Sequence, residues 1–235
     1  MKVAIMQPYF APYIGYFQLM NCVDKFVVYD NIQFTKKGWI HRNRFLLNGK
    51  DELFSIPLSK DSDFLDIRER KLSTEFLEAN KKVLRKIEAS YKKAPFFNDV
   101  YSELNKCFLY EEHDNLFDFV FNSLLIFKDY LKIDTELIIS SDVDDENYNL
   151  KGKERVKHLC EKIGGNHYIN PIGGQELYTK SSFAKNGIQL NFIKSKQIVY
   201  NQFENEFVPW LSIIDVLMFN SPEDINVMLD QYELV

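Results

Sequence analysis

Residues 2–49, KVAIMQPYFAPYIGYFQLMNCVDKFVVYDNIQFTKKGWIHRNRFLLNG, decide the fold. Two short apolar runs, VAIM and FVVY, each stop at a polar residue, Gln7 and Asp30. Residues 12–20 between them can form a helix, so the stretch predicts a β-α-β unit with two parallel strands. Open parallel sheets bind ligands beyond the carboxyl ends of their strands. We therefore expect Gln7 and Asp30 at the ligand-binding edge of the sheet.

A positively charged and aromatic segment follows the second apolar run, and we call residues 36–44 the basic loop. Arginine side chains suit bidentate recognition of phosphate, and an indole ring offers a flat face for stacking. The alternative is a solvated strand edge that its charges keep from pairing with other strands. The tryptophan and the clustering of cations favour a substrate-binding site. Its candidate residues are Lys37, Trp39, Arg42, Asn43 and Arg44.

His41 lies inside the basic loop and is the first candidate catalytic residue. Neighbouring positive charge disfavours a protonated imidazole, so the ring is expected to be neutral and able to accept a proton. Asp30, at the end of the preceding strand, is its expected partner and the second candidate catalytic residue. A lone histidine in a loop is more often incidental, and that alternative stays open.

The turn PYFAP, residues 8–12, is restricted by proline on both sides of its aromatic pair. A helix start that faces a strand end is a ready anion site, because its free N–H groups point outward. Gly15 stands in the first turns of that helix, where a side chain is costly if a ligand or strand packs close. The alternative is a plain tight connection. We predict that Gln7, Tyr9 and Tyr13 contact the substrate.

The remainder of the chain predicts a doubly wound sheet with two additions. Residues 44–58 contain an Asn-Gly pair between two apolar runs, which is the signal of a β-hairpin. Residues 74–132 contain three amphipathic helices, an all-helical insert able to cover the site as a lid. Residues 136–193 alternate strand and helix. The predicted fold is a single α/β domain, residues 1–235, with a mostly parallel doubly wound sheet, a β-hairpin and the helical insert.

Further candidate site residues lie in the second half of the chain. The short strand 167–170 precedes a Gly-Gly turn, where backbone can approach a ligand, although the turn lacks the Gly-Lys-Ser/Thr ending of a P-loop. Helices are expected over residues 175–186 and 208–219. The candidate substrate-binding residues of this half are Asn170, Gly173, Gly174, Tyr178, Tyr200 and Gln202.

An acidic cluster follows the strand predicted over residues 136–140, and its members are Asp142, Asp144, Asp145 and Glu146. The cluster lacks the glycine and the final glutamate of a calcium loop, so a solvated loop is expected there in place of a cation site. No HExxH or paired-cysteine spacing occurs in the sequence. We therefore predict no metal site.

Composition argues against several classes of protein. The net charge of −5 disfavours wholesale nucleic-acid binding, since phosphate contacts need a basic surface. No apolar run approaches the ~20 residues that cross a membrane, and no signal-peptide pattern precedes the first strand. The three cysteines show no CxxC spacing and indicate reduced thiols. We expect a cytoplasmic protein without a membrane span, and homo-oligomerisation stays open.

Three stretches together resemble the WbqC family of bacterial proteins. They are AIMQPYFAPYIGYFQLMNCVDKFVVYDNIQFTKKGWIHRNRFLLNG, GKERVKHLCEKIGGNHYINPIGGQELYTKSSFAKNGIQLNFI and YNQFENEFVPWLSIIDVLMFNSPEDI. The QPY-x-x-PYIGYF and FVPWLSIIDVL blocks are the most specific parts. Members are commonly encoded with O-antigen and other surface-polysaccharide functions. The resemblance therefore implies work in lipopolysaccharide biosynthesis on a nucleotide-linked sugar or its acyl substituent, with an amino sugar as the expected sugar.

Three functions are compatible with these features. The first is an acyltransferase that moves an acyl or aminoacyl group from a thioester to the amine of a nucleotide-linked amino sugar. Its donor would be coenzyme A or an acyl carrier protein, with no tightly bound cofactor. The second is an ATP-using ligase or nucleotidyl transferase, since the opening is similar to the nucleotidylyltransferase-type fold, although residues 12–16 lack both histidines of the HxGH signature. The third is a non-enzymatic protein that binds a sugar-nucleotide enzyme.

Overall fold

The computed structural model describes residues 1–112, 114–144, 150–204 and 206–235. Its strands are β1 (Lys2–Met6), β2 (Lys25–Val28), β3 (Arg42–Leu47), β4 (Lys50–Ser55), β5 (Glu136–Ile139), β6 (His167–Pro171), β7 (Gln189–Ser195) and β8 (Tyr232–Leu234). Its α-helices are α1 (Ile14–Asn21), α2 (Phe76–Tyr91), α3 (Phe97–Phe108), α4 (Leu116–Tyr130), α5 (Ser140–Val143), α6 (Gly152–Lys162), α7 (Lys180–Ala184), α8 (Ile213–Phe219) and α9 (Pro222–Leu229). Short 3-10 turns cover Ile67–Glu69 and Ile172–Gly174.

A six-stranded sheet with the order β5-β2-β1-β6-β7-β8 forms the centre of the fold. The first five of these strands are parallel, and β8 runs antiparallel to β7. The predicted β-α-β unit and the mostly parallel doubly wound sheet are therefore confirmed. Strand β8 is not predictable from the sequence, because its three residues are too few to show an alternating pattern.

The order of the sheet reverses between β1 and β6. The chain runs from β1 outward to β2 and β5, and then crosses over to place β6 on the other side of β1. Doubly wound sheets bind ligands at this reversal, in the crevice at the carboxyl ends of the strands. Gln7 follows β1, Asp30 follows β2 and Gly173 follows β6, so these three predicted residues share one edge.

Two apolar layers cover the two faces of the sheet. Along β1, Ala4 packs into one layer, whereas Val3 and Ile5 pack into the other, as the alternation of a strand requires. The larger layer contains α1, α8 and the helical insert, and the rings of Phe17 and Phe127 meet there with centroids 6.1 Å apart. The smaller layer contains α6 and α7. The insert thus extends the main core.

The predicted β-hairpin is confirmed by the pairing of β3 with β4, as a two-stranded sheet of its own. Asn48 and Gly49 connect these strands with φ angles of +53° and +74°. Positive φ at both central residues is the conformation that a type I′ turn requires. The three helices predicted over residues 74–132 are found as α2, α3 and α4.

Two predicted helices are shorter in the structure. The helix predicted over residues 208–219 begins only at Ile213, because Trp210 has a φ of +60° and the Ser212 side chain caps the first turn. The helix predicted over residues 175–186 is reduced to α7. None of the described helices is long and apolar enough to span a membrane.

Candidate functional site

The turn at residues 8–12 is the foundation of the site, and side-chain hydrogen bonds hold it in place. The Nδ2 atom of Asn43 donates to the carbonyl oxygens of Phe10 and Ala11, at 3.3 and 2.7 Å. The hydroxyl of Ser212 donates to the same carbonyl of Ala11 at 2.6 Å. These bonds join the basic loop and the start of α8 to the turn that follows β1. The amide nitrogen of Asn43, which the sequence predicts to bind substrate, is therefore committed to the turn.

An open cavity of about 210 Å³ lies beside this turn, and we call it the aromatic cleft. Its lining residues are Tyr9, Pro12, Tyr13, Trp39, Asn43, Arg44 and Trp210. Trp39 and Trp210 remain 41% and 62% exposed, although aromatic rings are usually well buried. The rings of Tyr13 and Trp210 meet edge-on with centroids 6.0 Å apart. The cleft thus brings together five residues that the sequence predicts to bind substrate, and adds Trp210.

Two guanidinium groups lie over the ring of Trp39. The Cζ atoms of Arg42 and Arg44 are each 5.5 Å from the ring centre, which is within the range of a cation–π contact. Backbone carbonyl groups of the basic loop fix Arg42, and an ion pair with Asp51 at 3.0 Å fixes Arg44. Lys37 is exposed on the same loop. The cleft therefore has aromatic walls and a positively charged rim.

The position of the Tyr13 ring depends on a glycine. A Cβ atom added to Gly15 would lie 2.3 Å from the ring of Tyr13. Because glycine lacks this atom, the ring can lie across the first turn of α1. The sequence predicts that a ligand or a strand approaches Gly15, whereas the structure places Tyr13 there. The predicted anion site at the start of this helix is consequently covered by an aromatic ring.

A second cavity of about 50 Å³ adjoins the aromatic cleft, and we call it the inner compartment. It shares Tyr13 and Trp210 with the cleft, and most of its other lining side chains are apolar or aromatic, among them Ile198, Tyr200 and Leu211. No described residue of the helical insert lines either cavity. The insert is therefore not the expected lid over these cavities, because its helices pack into the core.

Asp215, a buried carboxylate at the start of α8, organises the wall behind the inner compartment. Its oxygens accept hydrogen bonds from the hydroxyls of Tyr91 and Tyr200, at 2.7 and 2.6 Å, and from the amide of Gln202 at 2.6 Å. Burial raises the pKa of Asp215, and the three hydrogen bonds oppose that rise. The signal for Asp215 in the sequence is a single carboxylate inside the apolar run IIDVLMF.

Tyr200 and Gln202, two predicted substrate-binding residues, are thus held by this carboxylate. Tyr200 still lines the inner compartment, and burial raises the pKa of its hydroxyl far above the ordinary value. Gln202 is buried, and its side chain also accepts a hydrogen bond from the backbone of Val208 at 2.7 Å. Gln202 is therefore a support of the wall, whereas the half-buried Tyr200 also lines the inner compartment.

The predicted residues at the reversal of the sheet divide between its two faces. Gln7 belongs to the side of the cleft, because its Oε1 atom accepts a hydrogen bond from the hydroxyl of Tyr9 at 3.3 Å. Asn170 lies on the opposite face, where its Oδ1 atom accepts a hydrogen bond from Tyr168 at 2.9 Å. Tyr178 packs against the same Tyr168 ring, with centroids 6.0 Å apart. Asn170 and Tyr178 therefore do not line the aromatic cleft.

The packing around the Gly-Gly turn explains why residue 174 is a glycine. A Cβ atom added to Gly174 would lie 1.9 Å from the Nδ2 atom of Asn170, so this amide occupies the space that a ligand was expected to use. A Cβ atom added to Gly173 would meet no atom within 4 Å. Neither glycine lines the aromatic cleft or the inner compartment.

Asp30 does not contact His41 in the structure. The carboxylate of Asp30 accepts hydrogen bonds from the hydroxyls of Ser140 and Ser141, at 2.6 and 2.7 Å, and from the backbone N–H of Ser141 at 3.0 Å. It is buried and links the ends of β2 and β5. The predicted catalytic pair is therefore not formed, because α5 supplies other partners for the carboxylate.

His41 faces away from the aromatic cleft. Its ring lies 5.3 Å from that of Phe34 and lines a separate cavity. Burial, together with the neighbouring charges of Arg42 and Arg70, lowers the pKa of His41 to about 4. The ring is consequently neutral at pH 7, which is the form that the sequence predicts.

Part of the acidic cluster, Asp145 and Glu146, lies outside the described residues. The carboxylate of Asp144 is paired with Arg155 and His158. Within the part of the chain that the structure describes, no group of three or more His, Cys, Asp or Glu side chains is placed to hold a metal ion.

Comparisons with known proteins agree with the resemblance in the sequence. The WbqC-like protein family matches residues 7–227, which include every residue of the aromatic cleft and the inner compartment. The uncharacterized protein Rv1507c of Mycobacterium tuberculosis (strain ATCC 25618 / H37Rv) is 30% identical over 223 residues, and the match covers 93% of this chain and 93% of that protein. No solved structure matches the chain significantly.

Proposed function

We propose, from the premise that this chain belongs to the WbqC-like protein family, that it is a sugar-modifying transferase of surface-polysaccharide biosynthesis. In this proposal it transfers an acyl or aminoacyl group from a thioester to the amine of a nucleotide-linked amino sugar. The WbqC resemblance supplies the polysaccharide context, and the aromatic cleft supplies the physical support. Coenzyme A or an acyl carrier protein is the proposed carrier of the thioester.

The observation that carries the proposal is the combination of exposed indole rings with cations in one cleft. Trp210 offers a flat apolar face on which a nucleobase or a sugar ring can stack, and Trp39 adds a second indole ring that the guanidinium groups of Arg42 and Arg44 contact. Arg42, Arg44 and Lys37 supply positive charge beside them, and guanidinium groups suit the oxygens of a diphosphate. A nucleotide-linked sugar contains all three of these chemical parts.

The inner compartment fits the acyl part of the reaction. Its small volume and largely apolar lining suit a short acyl or aminoacyl group, with Tyr200 at one wall. The sugar amine attacks the thioester carbonyl carbon, the new C–N bond forms, and the C–S bond breaks. The proton that the amine loses ends on the released thiol. Tyr13 and Trp210, which line both cavities, would contact both reactants.

The predicted pair of Asp30 and His41 does not enter this proposal. Asp30 is bonded to Ser140 and Ser141, and His41 opens into a different cavity. The residues assigned to binding are those that the cleft and the inner compartment present to a ligand.

Release of thiol from acyl-coenzyme A in the presence of uridine- and thymidine-linked amino sugars tests the proposal. The readout is favourable because Cys22, Cys107 and Cys160 are buried, and burial raises the pKa of Cys22 and Cys160 to about 12. Protein thiols therefore react slowly with a thiol reagent. We expect release that requires the amino group of the sugar and ceases with the N-acetylated sugar. Absence of release across a panel of coenzyme A and carrier-protein donors would contradict the proposal.

The sheet order favours one alternative, an ATP-using ligase or nucleotidyl transferase. The crevice at the reversal between β1 and β6 is the place where doubly wound sheets bind nucleotides. Formation of pyrophosphate or ADP that depends on the sugar substrate would identify this activity. Thiol release without either product would exclude it as the source of turnover.

A binding protein without catalytic activity is the other alternative, and the exposure of Trp39 and Trp210 is the observation that favours it. In that case the substitution Trp39→Ala would abolish complex formation with a sugar-nucleotide enzyme. Turnover of that enzyme alone would be unaffected. In the transferase, the same substitution instead raises the KM for the nucleotide-linked sugar.

A further inference from the structure

A third cavity, of about 430 Å³, lies on the side of the basic loop that faces away from the aromatic cleft, and we call it the basic cavity. The side chains that matter for its chemistry belong to Phe34, Lys36, His41, Ser59, Lys60 and Arg70. The basic cavity shares no lining residue with the aromatic cleft or the inner compartment. It therefore needs an explanation separate from the proposed transferase site.

Arg70 is the centre of the basic cavity. Its side chain is buried, with 3% of the residue exposed, and its guanidinium lies 4.9 Å from the ring centre of Phe34. The two terminal nitrogens donate to the carbonyl oxygens of Ser62 and Ser59, at 2.9 and 3.1 Å. The Nε atom is buried and has no partner among the described residues. A buried donor of a charged group left without an acceptor is costly, so an acceptor is expected there.

His41 supplies a second nitrogen of the same kind. Its Nδ1 atom is buried and has no hydrogen-bond partner among the described residues. The ring of Phe34 contacts both groups, with the His41 ring 5.3 Å away between centroids and the Cζ atom of Arg70 4.9 Å from its centre. The low pKa of His41 keeps the ring neutral at pH 7. In the tautomer with its hydrogen on Nδ1, the ring adds a second N–H donor to the cavity.

The charged residues that line the basic cavity favour a negatively charged ligand. Lys36, Lys60 and Arg70 are cations, and Asp61 is the acidic residue among the described lining residues. Lys36 is paired with Asp63 at 2.7 Å, outside the lining. Lys60 is exposed at the mouth. Two unpartnered buried nitrogens under a positively charged mouth match an anion, and do not match a cation or an apolar group.

We propose that the basic cavity binds the oxyanion of a small molecule, a phosphoryl or carboxylate group. The oxygens of this group accept hydrogen bonds from Nε of Arg70 and Nδ1 of His41, while Lys60 adds long-range attraction. The proposal gives His41 a role in binding in place of the role in catalysis that the sequence predicts. It does not depend on the function of the aromatic cleft.

Titration of the protein with inorganic phosphate and, separately, with acetate tests the proposal. The readout is the ¹⁵N spectrum of the imidazole rings, in which the signal of His41 is assigned by its loss in His41→Gln. We expect a saturable shift of the His41 signal and a rise of its pKa, because a bound anion favours the protonated ring. Saturation by phosphate alone identifies a phosphoryl site, and saturation by acetate alone identifies a carboxylate site. Saturation by neither would overturn the proposal and leave an ordered water as the partner of both nitrogens.

Two variants make the result specific. Arg70→Gln is expected to abolish the saturable shift. The substitution also removes the hydrogen bonds from the Arg70 side chain to the backbone carbonyls of Ser59 and Ser62, so it changes the support of that segment as well. Lys60→Gln removes charge from an exposed side chain and is expected to weaken anion binding several-fold with an unchanged fold. The matched control is Lys71→Gln, which removes the same charge from an exposed lysine that pairs with Asp114 and does not line the cavity. Equal binding by Lys60→Gln and Lys71→Gln would contradict the proposed site.

Discussion

At the scale of single residues, the pairing of Gly15 with Tyr13 gives the sharpest prediction. Gly15→Ala places a methyl group where the Tyr13 ring now lies, 2.3 Å from a ring carbon. The ring must then move, and because Tyr13 lines both cavities, we expect weaker binding of the nucleotide-linked sugar, measured as a raised Kd. The control is the same substitution made in a Tyr13→Ala background. There the clash is absent, and an equal loss of affinity on adding Gly15→Ala would contradict the explanation.

Asp215 gives a pH-dependent prediction. Burial raises the pKa of Asp215 in the folded chain, so the folded chain binds the proton of this carboxyl more tightly than the unfolded chain does. The stability that this proton contributes therefore falls as the pH rises from about 4, the ordinary pKa of an aspartate, through the folded pKa. Asp215→Asn removes the titrating carboxyl. It also places an NH2 group where a carboxylate oxygen now accepts hydrogen bonds, which lowers the free energy of unfolding by about 1–3 kcal/mol near pH 4. We expect the difference in free energy of unfolding between wild type and variant to shrink toward pH 7. Urea unfolding at both pH values measures it, and a constant difference would contradict the raised pKa.

The sequence predicts which residues are near the site better than it predicts their roles. Asn43 was expected to contact substrate, yet its amide holds the turn at Ala11, more than thirty positions earlier in the chain. Asp30 was expected to activate His41, yet its partners are Ser140 and Ser141. In each case the partner comes from a distant segment. Residue type and spacing do not contain that information, because it depends on how the elements pack.

At the scale of elements, the β3–β4 hairpin gives a prediction about stability. Gly49→Ala places a Cβ atom at a residue with φ of +74°, and such a left-handed conformation costs about 1–2 kcal/mol. We expect a loss of that size in the free energy of unfolding from urea titrations. Gly173→Ala is the matched control, since Gly173 lies in a 3-10 turn and an added Cβ meets no atom. Equal losses in both variants would show that the type I′ turn is not the cause.

Strong local signals were the ones that predicted elements well. The Asn-Gly pair of the hairpin and the helical spacing of the insert are read from neighbouring residues, and both are confirmed. The helix predicted over residues 208–219 is too long, because its apolar run includes residues 208–212, which are not helical. Trp210 has a φ of +60° there, and it lines the cleft. The position of these residues in the folded chain thus overrides the local pattern.

At the scale of the whole molecule, the helical insert and the sheet share one apolar core, and this predicts cooperative unfolding. Leu124 of α4 is fully buried in the cluster that also contains Ala4 of β1. Leu124→Ala is expected to lower the free energy of unfolding by about 2–5 kcal/mol. In the wild type, far-UV circular dichroism and tryptophan fluorescence should follow one and the same urea transition. In the variant the two signals should again coincide, at a lower urea concentration. A separate transition for the insert would contradict a shared core.

The overall arrangement was predictable because parallel strands place their carboxyl ends at one edge. Gln7, Asp30 and Gly173 do share that edge. The sequence does not predict how the residues at this edge divide between the two faces of the sheet. The alternation along β6 sends Asn170 toward the second apolar layer, where Tyr168 holds it. The cleft is formed instead between the turn after β1, the basic loop and the segment before α8.

The most direct test of the aromatic cleft uses the tryptophans of the protein. The chain contains two, Trp39 and Trp210, and both line the cleft, so tryptophan fluorescence reports on the cleft and on the inner compartment that Trp210 also lines. Titration with uridine- and thymidine-linked amino sugars should give a saturable change in Trp39→Phe and in Trp210→Phe, each of which retains one indole ring, after correction with free tryptophan. An unchanged spectrum in both variants with every sugar nucleotide would contradict the assignment of the cleft as the substrate site.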